Sequence, residues 1–216
     1  GLRTYTATWH LHPDPDESIS AWQKGDGARI AKELSKPAGT SAYHFLAHYV
    51  ICDEIQTLDF RRLDPEKLNR WFRDYLRSKG ETDATLGQPI DKAVYPAAAM
   101  FAKSLPRDAD LPTRKLMYYA GKFGQWWSVK QLRQTSDLLR QSLASAPRRV
   151  KTETLPSDHC FFNAWGPPHT AMGYRGLGFF EIGAQQAGDF FSVEIWLGML
   201  QYVGSVISLI GYETGG

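Results

Sequence analysis

Apolar residues recur at helical spacing through the centre of the chain. After Asp64-Pro65-Glu66, the residues Leu68, Trp71, Phe72, Tyr75 and Leu76 fall at i, i+3, i+4, i+7 and i+8, the stripe of an amphipathic helix. Asp64 is placed to accept backbone hydrogen bonds as N-cap. Pro65 fits the first helical position, where its missing N–H costs nothing, and Gly80 stands at the stop. Ser41–Gln56 is apolar around most of its circumference, the pattern of a buried helix, with Phe45, Leu46, Tyr49, Val50, Ile51 and Cys52. Ser18 is read as the cap of a helix running towards Leu34, weakened at Gly25 and Gly27. Shorter helices are expected at Ala97–Leu105 and Thr113–Phe123. Another is expected at Ser128–Ala144, with Val129, Leu132, Leu139 and Leu143 inward and Pro147 beyond its end.

The two ends of the chain follow a different period. Thr4–His10 alternates and is rich in β-branched and aromatic residues, so it reads as a strand. After Pro147, short apolar-aromatic runs alternate with turns: Cys160–Trp165, Leu177–Ala184 and Phe190–Leu197, with Gln185–Asp189 as a hairpin-sized loop. Eleven of the nineteen glycines follow residue 152, which favours turns over helices there. In Phe190–Leu197, Phe191, Val193 and Ile195 share one face and Ser192 and Glu194 the other, as in a half-buried antiparallel strand. Val203–Ile210 fits strand or helix equally. The expected fold is α+β: an N-terminal strand, a helical middle over about residues 17–145, and a C-terminal antiparallel sheet that the first strand can join. Residues 1–151 form the mainly helical part. Residues 152–216 form a Gly/aromatic-rich β part packed on it as one compact domain.

The composition is that of an ordinary globular chain, 43% hydrophobic and 22% charged over 216 residues, which excludes disorder, collagen-like repeats and a pure coiled coil. Cys52 and Cys160 lie too far apart for a zinc ribbon or a CxxC redox pair, and two reduced thiols in an intracellular, soluble protein are expected. The opening residues Gly1–Tyr5 have no apolar signal core. Ile195–Tyr212 is uncharged and just long enough to span a bilayer, but it contains three glycines, Gln201, Ser205 and Ser208 and is flanked by Glu194 and Glu213. Buried core elements, with no membrane partner, are the reading.

Charge changes the picture most. Residues 112–151 carry nine bases against one acid, Asp137, a net +8, whereas residues 152–216 carry one base against six acids, a net −5. The bases are Arg114, Lys115, Lys122, Lys130, Arg133, Arg140, Arg148, Arg149 and Lys151, interleaved with Tyr118, Tyr119, Phe123, Trp126 and Trp127. Phosphates want Lys and Arg, and unpaired bases want flat aromatic faces, so this pairing suits a single strand of RNA or DNA. Adjacent Trp126 and Trp127 point about 100° apart on a helix. Trp127 is therefore expected inward with Val129 and Leu132, and Trp126 outward beside Lys122. The alternative use of the charge is internal: the acidic C-terminal part folds onto the basic block.

Other residues offer chemistry. His44 and His48 are i, i+4, with Cys52 one turn on, and His10 and His12 are i, i+2 with Asp14 and Asp16 behind; each set could hold zinc, or cap and fill structure instead. Ser157-Asp158-His159-Cys160-Phe161-Phe162-Asn163-Ala164-Trp165 resembles the nucleophile turn of OTU-type and papain-like cysteine proteases, without its turn glycine. That resemblance implies Cys160 as a thiolate nucleophile. Gly173-Tyr174-Arg175-Gly176-Leu177-Gly178 is similar to the glycine-rich loops of the repeat-associated RNA-binding families of CRISPR systems. It implies Arg175 as a second contact to RNA backbone. The expected function is nucleic-acid binding, single-stranded RNA first, within an assembly and without clear catalysis or a required cofactor. The alternatives are a metal-dependent or cysteine hydrolase, and a protein-interaction or structural subunit such as a shell or toxin-neutralising protein.

Overall fold

The computed structural model describes residues 4–6, 12–37, 39–41, 43, 48–50, 58–97, 108–144, 159–163, 179–188 and 190–192, with the strands as backbone alone. Helices dominate: α1 Pro15–Lys24, α2 Asp26–Leu34, α3 Pro65–Ser78, α4 Asp83–Leu86, α5 Leu111–Ala144 and α6 Phe179–Ala184, with 3-10 turns at Phe60–Arg62 and Ile90–Lys92.

Local chemistry sets where these helices begin. Asp14 caps α1 by accepting from the Asp16 N–H, and Asp64 caps α3 by accepting from the N–H groups of Glu66 at 2.7 Å and Lys67 at 3.3 Å. Both helices carry proline in their first turn. The expected helix from Ser18 to Leu34 is two helices, and Ser18 is not its cap. The Ser18 hydroxyl instead exchanges hydrogen bonds with the His12 backbone. The break falls at Gly25, whose N–H closes α1 onto Ala21 and Trp22 carbonyls. Gly27 then lies against the Trp22 indole, where a Cβ would come within 2.5 Å of Nε1, so only glycine lets α2 turn back there.

The axis of the fold is α5, 34 residues and about 51 Å long. It fuses the two helices expected at Thr113–Phe123 and Ser128–Ala144, running straight through Gly121 and Gly124. α3 and α4 lie antiparallel to it. Trp71 meets Trp127, Tyr75 meets Phe123 and Trp126, Glu81 accepts from the Tyr119 hydroxyl, and the Thr85 carbonyl accepts from Lys115. Phe60, Phe72, Tyr95 and Phe123 pack edge to face or tilted in the resulting core, with Leu68, Leu76 and Leu86 around them. Such ring pairs add about 0.5–1.5 kcal/mol each beyond their area. α1 and α2 pack on α5. The Trp127 indole N–H donates to the Pro13 carbonyl at 2.8 Å, and Lys67 of α3 pairs with Asp14.

The expected α+β fold with a C-terminal antiparallel sheet is not what the structure shows. The described residues are overwhelmingly helical. Leu177–Ala184, expected as a strand run, closes as helix α6 over Phe179–Ala184. The pairing that does occur is short and parallel: β1 Thr4–Thr6, β2 His48–Val50, β3 His159–Asn163 and β4 Phe190–Ser192, in the order β1-β2-β3-β4. Parallel neighbours are joined by crossovers, not hairpins. Period-2 patterning locates a strand but does not fix the direction of its partner. β2 also falls inside Ser41–Gln56, so that stretch is not one helix. Residues 98–105 and 203–210 lie outside the described residues, as does the uncharged run 195–212. Among the described residues no helix is long and apolar enough to cross a membrane.

Candidate nucleic-acid interface

One face of α5 is buried and the other carries charge. Phe123, Trp127, Val129, Leu132 and Leu139 are turned into the protein. Lys122, Trp126, Lys130, Arg133, Asp137 and Arg140 step by three or four residues along a stripe that adjoins the buried surface, where helical neighbours meet. Lys122 and Lys130 are exposed; Trp126, Arg133 and Arg140 are half-buried. Five members of the basic-aromatic block are thereby brought into one stripe with one acid among them.

The cations in this stripe differ in how far the protein already uses them. Arg133 donates to the Gln185 carbonyl at 2.6 Å and also reaches Asp137, which Arg140 contacts from the other side at 3.1 Å. Lys122 lies over the Tyr118 ring at 5.8 Å, and Lys130 lies over Trp126 and Trp127 at 5.3 and 5.1 Å. Among the described residues neither lysine has a carboxylate partner. A cation resting on a ring face keeps its charge available to solvent and gives up only about 0.5–1 kcal/mol when it leaves. An open groove of about 370 Å³ adjoins the stripe, between Ile19 of α1 and Lys130, Arg133, Gln134 and Leu138 of α5.

The remaining expected contacts fall elsewhere. Arg114 donates to the Ala109 carbonyl at 2.7 Å, and Lys115 is tied to Thr85, so both brace the first turns of α5. Tyr118 is exposed on that same end. Tyr119 is fixed by its hydrogen bond to Glu81, which raises the phenol to about 12, with burial adding to it, and draws the Glu81 carboxyl below its usual range. Arg148, Arg149, Lys151 and Arg175 lie outside the described residues, as do His10 and His44. His48 and Cys160 are described as strand backbone alone; His48 stands opposite His159, and Cys160 opposite Tyr49. His12 is engaged at both ring nitrogens: Nδ1 accepts from the Asp14 N–H at 3.0 Å, and Nε2 faces Glu17 at 3.0 Å. Among the described residues no group of three His, Cys, Asp or Glu side chains is assembled for a metal ion.

Trp127 is buried as expected, with Val129 and Leu132. Trp126 is not a free outward ring. It packs on the margin of the core, 5.2 Å from Tyr75 and 5.8 Å from Trp127. α6 folds onto α5, but among the described residues the contacts that join them are hydrogen bonds to backbone carbonyls, not pairs between the acids of the C-terminal part and the basic block. The turn after α6 is bound to α5 through Arg133, through Gln185 Nε2 donating to the Trp126 carbonyl, and through Ser136 donating to the Ala187 carbonyl. Tyr75 is pushed upward mainly by burial, with the Glu181 charge of α6 contributing.

The block reading missed α3. Lys67 lies over Trp71 at 5.1 Å and Lys79 over Tyr75 at 5.2 Å, and these rings join those of α5. Compared with family models, with curated proteins and with solved structures, the chain finds no match.

Proposed function

We propose that the solvent face of α5 binds single-stranded nucleic acid, RNA first, and that the protein acts as a binding component. The observation that carries this reading is the single face shared by Lys122, Trp126, Lys130, Arg133 and Arg140, with Asp137 the one acid among them. Lys122 and Lys130 supply charge to phosphates, and Trp126 supplies a half-exposed ring to an unpaired base. Arg133 and Arg140 hold Asp137 between them, which lowers the repulsion that carboxylate would offer a polyanion. The interaction is electrostatic in its larger part, so it weakens as salt rises.

The test is Lys122→Glu combined with Lys130→Glu. Both side chains are exposed and lose only their ring contacts, so the thermal melt should fall by a few degrees at most, while affinity for single-stranded RNA falls by roughly tenfold or more at low salt. Unchanged affinity would remove α5 from the reading.

A further inference from the structure

We infer that α3 supplies the second wall of this site: Trp71, with Lys67 and Lys79 at either end, carries the surface across the α3–α5 seam, and one unpaired strand stacks on Trp71 as well as Trp126. The inference rests on the reading of α5 as a nucleic-acid surface and names residues outside it.

The rings at the seam are continuous. Trp71 stacks on Trp127 with centroids 4.4 Å apart, Trp127 lies 5.8 Å from Trp126, and Trp126 lies 5.2 Å from Tyr75. Within this run the second and the last ring, Trp127 and Tyr75, are buried at 5% each, while Trp71 and Trp126 are only partly buried. Buried rings hold the exposed ones in place, so a base meets a rigid platform and little ordering cost is left to binding. Ammonium groups surround the platform: Lys67 at Trp71, Lys130 at both α5 tryptophans, and Lys79 at Tyr75. Lys67 is already hydrogen-bonded to Asp14. Among the described residues Lys79 and Lys130 have no such partner, so they carry the larger share of phosphate contact.

Geometry selects the ligand. Lys67 and Lys79 are separated by three turns of α3, about 18 Å, room for several nucleotides. A duplex hides its base faces and could use only the lysines. An acidic peptide would likewise leave the two half-exposed indoles idle. A single strand uses both parts, because every base offers a flat face whatever the sequence.

Photocrosslinking with a 5-iodouridine oligonucleotide of about ten nucleotides, followed by peptide mapping, separates this inference from the reading beneath it. Adducts on the peptide holding Trp71, alongside those on the peptide holding Trp126, are expected. Adducts on α5 alone, with binding intact, would overturn the α3 wall and leave the α5 site standing. No retention of the oligonucleotide at low salt would overturn both. Lys79→Gln gives a second readout at the exposed end of α3: it should lower the salt slope of binding by about 0.7, one single-strand phosphate contact. An unchanged slope counts against α3. Competition by polyglutamate as strong as that by the oligonucleotide, at equal charge, would reduce the surface to charge alone and overturn the stacking role.

Discussion

Trp71 of α3 lies stacked on Trp127 of α5, with ring centroids 4.4 Å apart and planes inclined by 26°. Trp127 is buried and anchors its indole N–H on Pro13, while Trp71 is half-exposed. The pair therefore joins three parts of the chain: the segment before α1, α3 and α5. Trp127→Ala should cost about 3–5 kcal/mol, as for other buried large aromatics, and Trp71→Ala about half of that. In a double-mutant cycle by urea unfolding, the two should couple by about 0.5–1.5 kcal/mol. Additive losses would mean the stack contributes nothing of its own.

Gln131 is fully buried on α5, and among the described residues neither polar atom of its side-chain amide has a hydrogen-bond partner. An unsatisfied buried amide costs about 1–3 kcal/mol. Gln131→Met keeps the volume and removes the amide, so it should raise stability by about 1 kcal/mol. A lower urea midpoint in the variant would show that the amide is bonded in solution, through ordered water.

Asp14 and Lys67 give the stability a pH dependence of predictable sign. Burial works to raise the Asp14 carboxyl. The Lys67 hydrogen bond, the Asp16 N–H and the nearby positive charge outweigh it and hold the carboxyl below its ordinary range. The pair is thus fully formed above the unfolded carboxyl value of about 4 and is lost as pH falls through the lowered value. Asp14→Asn preserves the cap and removes the charge. It should cost about 1 kcal/mol at neutral pH, and its deficit should shrink as pH is taken from about 5 to about 2. A deficit constant with pH would assign the effect to packing.

Arg133 fastens the turn after α6 to α5 through the Gln185 carbonyl. Arg133→Ala should therefore loosen that turn. Amide exchange at Ala187, whose N–H is bonded to the Ile182 carbonyl, should speed up while the α3–α5 core keeps its protection. Exchange unchanged at Ala187 would mean that Ser136 and Gln185 hold the turn without it.

Helix α3 was legible from residue order alone, because its cap, its proline, its apolar stripe and its terminal glycine all agree. α5 was legible only in halves. Gly121 and Gly124 weaken a helix by about 1 kcal/mol each on propensity, and tertiary packing overrides that. Gly124 is buried, and its carbonyl accepts from the Ser128 hydroxyl, which in turn accepts from the Leu58 N–H, so a small residue serves the packing there. Phe179–Ala184 is short, apolar and aromatic, a run that periodicity cannot divide between strand and helix. The site was half legible. The basic excess pointed to α5, but α3 is not basic enough to stand out. A finer signal was present: Lys67/Trp71, Tyr75/Lys79, Tyr118/Lys122 and Trp126/Lys130 each pair a lysine with a ring four residues away, and all four are cation–ring contacts in the structure. That the two helices bring these pairs together across one seam depends on long-range packing.

Trp126 serves both packing and the proposed site. Trp126→Ala should cost about 1–2 kcal/mol of stability, because the ring leans on Tyr75, and should also weaken single-strand binding by roughly 1–3 kcal/mol. Trp126→Phe should keep most of the stability and lose much of the fluorescence quenching that oligonucleotide causes in the wild type. Equal quenching in both would take Trp126 out of the site.

The most direct measurement is a fluorescence-anisotropy titration of the unaltered protein with a labelled uridine oligonucleotide of about ten nucleotides and with an RNA duplex of equal length, at about 50 and about 200 mM salt. The account predicts that the single strand binds more tightly than the duplex at both salts, and that both lose affinity as salt rises. Equal affinity for the two, or no binding at the lower salt, would contradict it.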